Sequence, residues 1–281
     1  MIRIILTSMA LTFVLGCKSD KKQPDTAQEK NNSETVVVET PEQVETEVAV
    51  NTPKGFEVTP ISHATMVLNW DGTIIYVDPV GGAEAFAGQP QPDLILVTDI
   101  HGDHLNVETL QAVSTDQCKI IVPQAVADKL PTEFDAQVDV LNNGDFKERF
   151  GFSVEAIPMY NLREEALQFH PKGRGNGYVI EKDEMRIYIS GDTEDIPEMR
   201  ALTNIDVAFV SMNLPWTMTE LQAAKAVVAF KPKKVYPYHY RGKDGFTDVG
   251  KFKGWIMKSG VGPEIEVVQL DWYPNRPTVP E

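Results

Sequence analysis

The sequence predicts a layered α/β domain, helix on sheet on sheet on helix, and three observations lead there. Residues 55–281 carry two successive sets of short apolar runs of strand length, broken by turn residues and by segments with helical spacing. Two sheet-rich halves with helices outside them pack as a four-layer αββα sandwich. Residues that carry chemistry recur directly after those runs: Asp99 and His101 after one, Asp192 after another, His239 after a third. Loops at sheet ends are where α/β scaffolds hold reactive groups. Four Trp and twelve Phe in the chain are ample for one core of this size.

The chain opens with Met1-Ile2-Arg3, an apolar stretch from Ile4 to Leu15, and Gly16-Cys17. A positive charge, a short apolar segment and a small residue describe a secretory signal over residues 1–17, too short to span a bilayer. Val14-Leu15-Gly16-Cys17 resembles a bacterial lipobox, which makes Cys17 the expected lipidation site. Residues 18–54 are rich in Lys, Gln, Thr, Glu and Pro and hold no Phe, Tyr or Trp. They cannot bury enough apolar surface to fold alone and read as a flexible acidic tether. Residues 55–281 form the globular domain.

In that domain, Thr65 to Asn69 and Thr73 to Val77 flank Trp70-Asp71-Gly72 and read as a hairpin. Asp93 to Val97 is a short apolar strand. Val107 to Val113 reads as a helix, Lys119 to Val122 as a strand, Pro123 to Leu130 as a helix and Gln137 to Leu141 as extended chain. In the second half, Phe152 to Pro158, Gly177 to Glu181, Met185 to Ser190 and Ile205 to Val210 read as strands. Thr217-x-x-Glu220 reads as a capping box opening a helix to Phe230. Lys234 to Tyr238 is a strand, Gly250 to Ser259 a helix and Ile265 to Gln269 a last strand.

The richest segment is Thr98-Asp99-Ile100-His101-Gly102-Asp103-His104, placed directly after the apolar strand. Four potential ligands lie within six residues, and two of the five His of the chain are among them. A loop of this kind aims imidazoles and carboxylates at one or two metal ions. Cys118 has no Cys or His neighbour at ligand spacing and reads as a buried small hydrophobe. With Cys17 carrying lipid, no disulfide can form within the chain, so stability rests on the core or on metal. The net charge of −15, from 41 acidic and 26 basic residues, excludes nucleic acid as a partner. It also argues against membrane contact beyond the N-terminal lipid.

Asp99-Ile100-His101-Gly102-Asp103-His104, followed by His170, Asp192 and His239, resembles the metallo-β-lactamase superfamily signature. Ile61-Ser62-His63-Ala64-Thr65, Ser190-Gly191-Asp192-Thr193 and Tyr236-Pro237-Tyr238-His239 are most similar to its branch of ascorbate-6-phosphate lactonases and N-acylphosphatidylethanolamine phospholipases of the D type. The resemblance spans residues 55–270. It implies two divalent metal ions, with zinc the first choice. Asp99, His101 and His170 would hold one, Asp103, His104 and His239 the other, with Asp192 bridging them. It implies a metal-bound hydroxide as nucleophile, Asp103 handling its proton, and Asp103 and His239 as catalytic residues.

Asp99 stands where that signature usually has His. Its harder oxygen donor and added negative charge move the preference toward manganese or iron. A mononuclear centre, with Asp99 only bonding His101, is the alternative. His63, Arg174, Asn176 and Trp216 are candidate substrate residues, Arg174 for an anionic group.

The sequence therefore leads to a metal-dependent hydrolase of an ester, lactone, amide or phosphodiester bond, acting on a small-molecule or lipid-like substrate. A phospholipid-directed phosphodiesterase and a non-catalytic envelope lipoprotein are the alternatives. The expected location is the bacterial cell envelope, lipid-anchored at the outer membrane because Lys18 is not an acidic retention signal.

Overall fold

The computed structural model describes residues 55–274; the signal segment with Cys17, the tether over 18–54 and residues 275–281 lie outside the described residues. The first half builds a six-stranded sheet from β1 (Phe56–Ser62), β2 (Thr65–Trp70), β3 (Thr73–Val77), β4 (Leu94–Leu96), β5 (Lys119–Val122) and β6 (Val138–Val140), paired in that order. The pairs β1/β2 and β2/β3 are antiparallel, whereas β3 to β6 run parallel. Parallel neighbours need crossovers, and α1 (Val107–Val113) and α2 (Gln124–Ala127) provide two of them.

Side chains alternate across this sheet with the two-residue period of a strand. Met66, Leu68, Ile75, Val77, Leu94 and Leu96 enter the core between the sheets. Val67, Ile74, Tyr76, Ile95, Ile120 and Val122 enter a separate outer cluster with Leu110, Val113 and Val126 from the helices. Both faces are buried, so these strands read as continuous apolar runs.

The second half repeats the plan. A seven-stranded sheet comprises β7 (Phe146–Arg149), β8 (Phe152–Met159), β9 (Gly175–Lys182), β10 (Met185–Ile189), β11 (Val207–Ser211), β12 (Lys234–Tyr238) and, beyond a small hairpin of β13 (Arg241–Gly242) and β14 (Gly245–Phe246), β15 (Glu266–Val267). It is antiparallel from β7 to β10 and parallel through β11, β12 and β15. Its helices are α3 (Pro197–Arg200), α4 (Glu220–Phe230) and α5 (Val249–Met257). Ala223, Val227 and Phe230 of α4 and Phe252 and Ile256 of α5 join the core. The four-layer αββα sandwich is the fold observed.

Beyond α3 and the β13/β14 hairpin, which the sequence reading did not contain, four further details differ from it. Strands β1 and β7 were not expected: each is the outer strand of its sheet, and β7 alternates only between exposed and half-buried positions. The helix expected from Pro123 to Leu130 is a single turn. The capping box is Thr219 with Gln222, whose side chains exchange hydrogen bonds with each other's backbone. Thr217 instead turns its hydroxyl to Asn213, accepting from the Asn213 N–H at 2.9 Å.

Candidate metal centre

The parallel strands of both sheets deliver their C-terminal ends to one place. At the end of β3, buried Asp78 accepts hydrogen bonds from the Thr98 N–H and hydroxyl, each at 2.7 Å. Its Oδ2 lies 2.8 Å from His104 Nδ1. This fixes the loop after β4 and leaves His104 Nε2 pointing inward, as ring orientation by a carboxylate does at metal sites. Burial alone would lower the His104 pKa, but the carboxylates of Asp78 and Asp192 hold it well above the ordinary value.

Asp192 follows β10 through Gly191, whose φ is +60°. A Cβ on Gly191 would lie 2.4 Å from Met159 Sδ, so the backbone passes where only glycine fits. The Asp192 carboxylate faces three imidazoles: Oδ2 is 3.5 Å from His104 Nε2 and 3.4 Å from His170 Nε2, and Oδ1 is 3.5 Å from His239 Nε2. Burial would raise its pKa, yet His239, His104 and His170 hold it well below the carboxylate range. His170 is oriented by the Trp216 carbonyl, 3.2 Å from Nδ1. His239 ends β12 with φ 47° and donates its N–H to the His63 carbonyl at 3.2 Å.

The other predicted residues fall into two groups. Asp103, half exposed, places Oδ2 3.3 Å from His239 Nε2 and Oδ1 3.9 Å from His104 Nε2. His63 occupies the tight turn between β1 and β2 and joins Asp103 and His239 in a potential ligand group. Burial and His239 lower its pKa to about 4, and Tyr273 OH is 3.4 Å from its Nδ1. On the opposite side, Asp99, His101 and His170 form a second such group, and His104, Asp192 and His239 a third. Asp99 Oδ2 is 2.7 Å from His101 Nδ1 and 4.0 Å from His170 Nε2.

The donor set fits a divalent cation on an observation of its own. His104 Nε2, His170 Nε2 and Asp192 Oδ1 are buried without a hydrogen-bond partner, and His239 Nε2 meets the Asn213 amide nitrogen at 3.3 Å. Buried polar atoms are ordinarily paired, and three imidazoles converging on one carboxylate are the nitrogen and oxygen donors zinc takes. A cavity of about 290 Å³ opens over them, lined by His101, Asp103, Phe169, His170, Asp192, Asn213 and Trp216.

All seven predicted ligands thus come together, and Trp216 and His63 lie beside them. Asp103 is grouped with His63 and His239, whereas Asp192 sits among the three imidazoles. Arg174 and Asn176 are absent from the cavity lining. Arg174 is held by Asp99, with Nη2 and Nε 2.9 and 3.1 Å from its two oxygens. Asn176 is buried between Leu141 and Asn143, donating to the former's carbonyl and accepting from the latter's amide. Asp78 was missed; its signal was a carboxylate immediately after an apolar strand and before Pro79.

A sequence profile described as the beta-lactamase superfamily domain matches residues 57–239. The chain belongs to the metallo-β-lactamase superfamily. Within the superfamily it is similar to a protein of Thermococcus onnurineus named a UPF0173 metal-dependent hydrolase, 32% identical over 174 residues, covering 59% of this chain and 76% of that one. A namesake from Methanopyrus kandleri is 27% identical over 224 residues, covering 76% and 96%. Among solved structures, one assigned as a metal-dependent hydrolase from Parabacteroides distasonis superposes with a TM-score of 0.67 at 40% identity, covering 76% of this chain and 92% of that one. A metallo hydrolase from Ignicoccus hospitalis shares the fold, with a TM-score of 0.64 at 22% identity over 77% and 95% of the two chains. The superfamily chain described here is a metal-dependent hydrolase.

Proposed function

We propose that this site hydrolyses an ester, lactone, amide or phosphodiester bond in a small or lipid-like molecule. The observation that carries the reading is buried Asp192 facing three imidazole Nε2 atoms at 3.4–3.5 Å beneath an open cavity. His104, His170, Asp192 and His239 would hold the ion, with zinc the first candidate. A divalent ion bound there supplies the Lewis acidity that polarises a scissile carbonyl or phosphoryl oxygen and acidifies water.

The chain's own residues do the rest. Asp78 and the Trp216 carbonyl hold His104 and His170 in the orientation their inward nitrogens need. Asp103 is the one carboxylate that is half exposed at the cavity and beside His239. Burial would raise its pKa, but the His239 contact and His104 keep it ionised, so Oδ2 can accept a proton from water and pass it to the leaving group. Phe169 and Trp216 form an apolar wall, and the Asn213 amide is engaged by His239 Nε2 and the Thr217 hydroxyl. At about 290 Å³ the cavity suits the reactive end of a small ligand.

The test uses chelator-stripped full-length protein and p-nitrophenyl acetate, a homoserine lactone, an anilide and bis(p-nitrophenyl) phosphate. Turnover of at least one class should return with added zinc or manganese and be absent in Asp192→Asn. No metal-restored turnover of any of them would overturn the reading. The sequence of residues 1–17 supports an envelope location with lipid on Cys17. Cys17→Ser should move the protein from the detergent phase to the aqueous phase in a bacterial host, and unchanged partition would overturn that placement.

A further inference from the structure

The two sides of the centre differ in one respect that bears on how many ions it holds. On the Asp192 side, His104 Nε2, His170 Nε2 and Asp192 Oδ1 have no hydrogen-bond partner. On the Asp99 side the donor atoms of Asp99 and His101 are met, because a cation of the chain is already there, and His170 Nε2, 4.0 Å from Asp99 Oδ2, is shared between the two sides. Arg174 bonds both Asp99 oxygens, Nη2 to Oδ2 at 2.9 Å and Nε to Oδ1 at 3.1 Å. Asp99 Oδ2 also meets His101 Nδ1 at 2.7 Å. With the Nδ1 proton directed to Asp99, the lone pair of His101 is on Nε2, and that atom lies 3.5 Å from Arg174 Nη2.

Arg174 is itself fixed in place. Its Nη2 also donates to the Phe169 carbonyl. It extends from the loop directly before Gly175, where an added Cβ would lie 3.3 Å from Asp99 Oδ1 and 2.9 Å from the Thr98 carbonyl. The flank of Asp99 is therefore closed by backbone. A fully buried carboxylate needs a positive partner, and a bidentate guanidinium is the strongest the chain can offer. A divalent ion between Asp99 and His101 would have to share oxygens with this guanidinium and bear its charge at close range.

We infer that Arg174 takes the place of a second metal ion, so that the centre binds a single ion on the Asp192 side and Asp99 is a positioning residue for His101. The inference rests on the hydrolase reading above. It makes Arg174 the residue that decides metal stoichiometry.

The test is a count of bound ions. Full-length protein is stripped with chelator, titrated with zinc, desalted and measured by elemental mass spectrometry. The wild type should hold one equivalent. Asp99→Asn should still hold one, because Asp99 is not a ligand. Arg174→Gln should rise to two, since Asp99 and His101 are then released. Two equivalents in the wild type, or loss of an equivalent in Asp99→Asn, would overturn the inference and leave the hydrolase reading intact. One equivalent in a folded Arg174→Gln would equally overturn the role of Arg174. If that variant does not fold, the wild type and Asp99→Asn still decide. No zinc in the wild type would overturn both readings.

Discussion

Asp78 Oδ2 lies 2.8 Å from His104 Nδ1, joining the end of one strand to a candidate ligand 26 residues further on. Both side chains are fully buried. The same carboxylate receives two hydrogen bonds from Thr98, so one residue sets both the course of the loop and the direction of the imidazole. Asp78→Asn preserves the shape and removes the charge. Metal affinity should fall by roughly 10–100-fold, the usual effect of removing such a partner. Competition against a chromophoric chelator measures it, and an unchanged dissociation constant would show that Thr98 alone suffices.

Gly191 permits a second prediction, on stability. Its φ of +60° and the 2.4 Å approach of a notional Cβ to Met159 Sδ combine backbone strain with overpacking. Each effect costs about 1–3 kcal/mol, so Gly191→Ala should destabilise the domain by about 2–6 kcal/mol. The urea midpoint of the metal-free protein reads this directly, and a change below about 0.5 kcal/mol, the range of neutral surface substitutions, would mean that the turn relaxes freely.

These two positions show why part of the site was legible in the sequence and part was not. His101, Asp103 and His104 crowd one loop, and Asp192 and His239 each close an apolar run, so their residue types and places along the chain sufficed. Asp78 acts through a contact across the sheet, and a carboxylate after a strand is equally common at an ordinary turn. The Arg174 loop shows a cation beside His170 but not its direction; folding turns it onto Asp99, 75 residues earlier, and out of the cavity lining. The fold was legible for the same reason as the ligands, because strands buried on both faces have unbroken apolar runs. Strand β7 escaped notice because an outer strand with exposed residues, such as Phe146, carries no such run.

Cys118 yields a prediction about pH. Burial, reinforced by the Asp93 charge, pushes its thiol from 9.0 up to about 12. A pKa raised in the folded state favours the neutral thiol there. Its contribution to stability is therefore complete below about pH 9 and is lost progressively as pH rises from there toward 12. Its neutral form also makes it a poor nucleophile. In a Cys17→Ser background, Ellman's reagent at pH 8 should label less than about 5% of the native protein in the time that labels one thiol per chain in urea. Rapid labelling of the native protein would contradict the burial seen here.

The unpartnered donors predict what metal does for stability. In the metal-free protein three inward-facing nitrogens lie 3.4–3.5 Å from the oxygens of one desolvated carboxylate, without a hydrogen bond at His104 Nε2, His170 Nε2 or Asp192 Oδ1. Only the folded chain brings these groups together, because they come from the ends of β4, β10 and β12 and from the loop before β9. An ion that binds them has no equivalent site in the unfolded chain, so its binding energy adds to folding. At 100 times the dissociation constant this amounts to about 2.7 kcal/mol, or roughly 5–10 °C in Tm for a domain of this size. Differential scanning calorimetry of the stripped protein with and without zinc measures it. The gain should survive in Asp99→Asn and vanish in the Asp192→Asn His104→Ala double variant, which removes the central carboxylate and one of its imidazoles. A gain that persisted in the double variant would place the stabilising ion elsewhere on the chain.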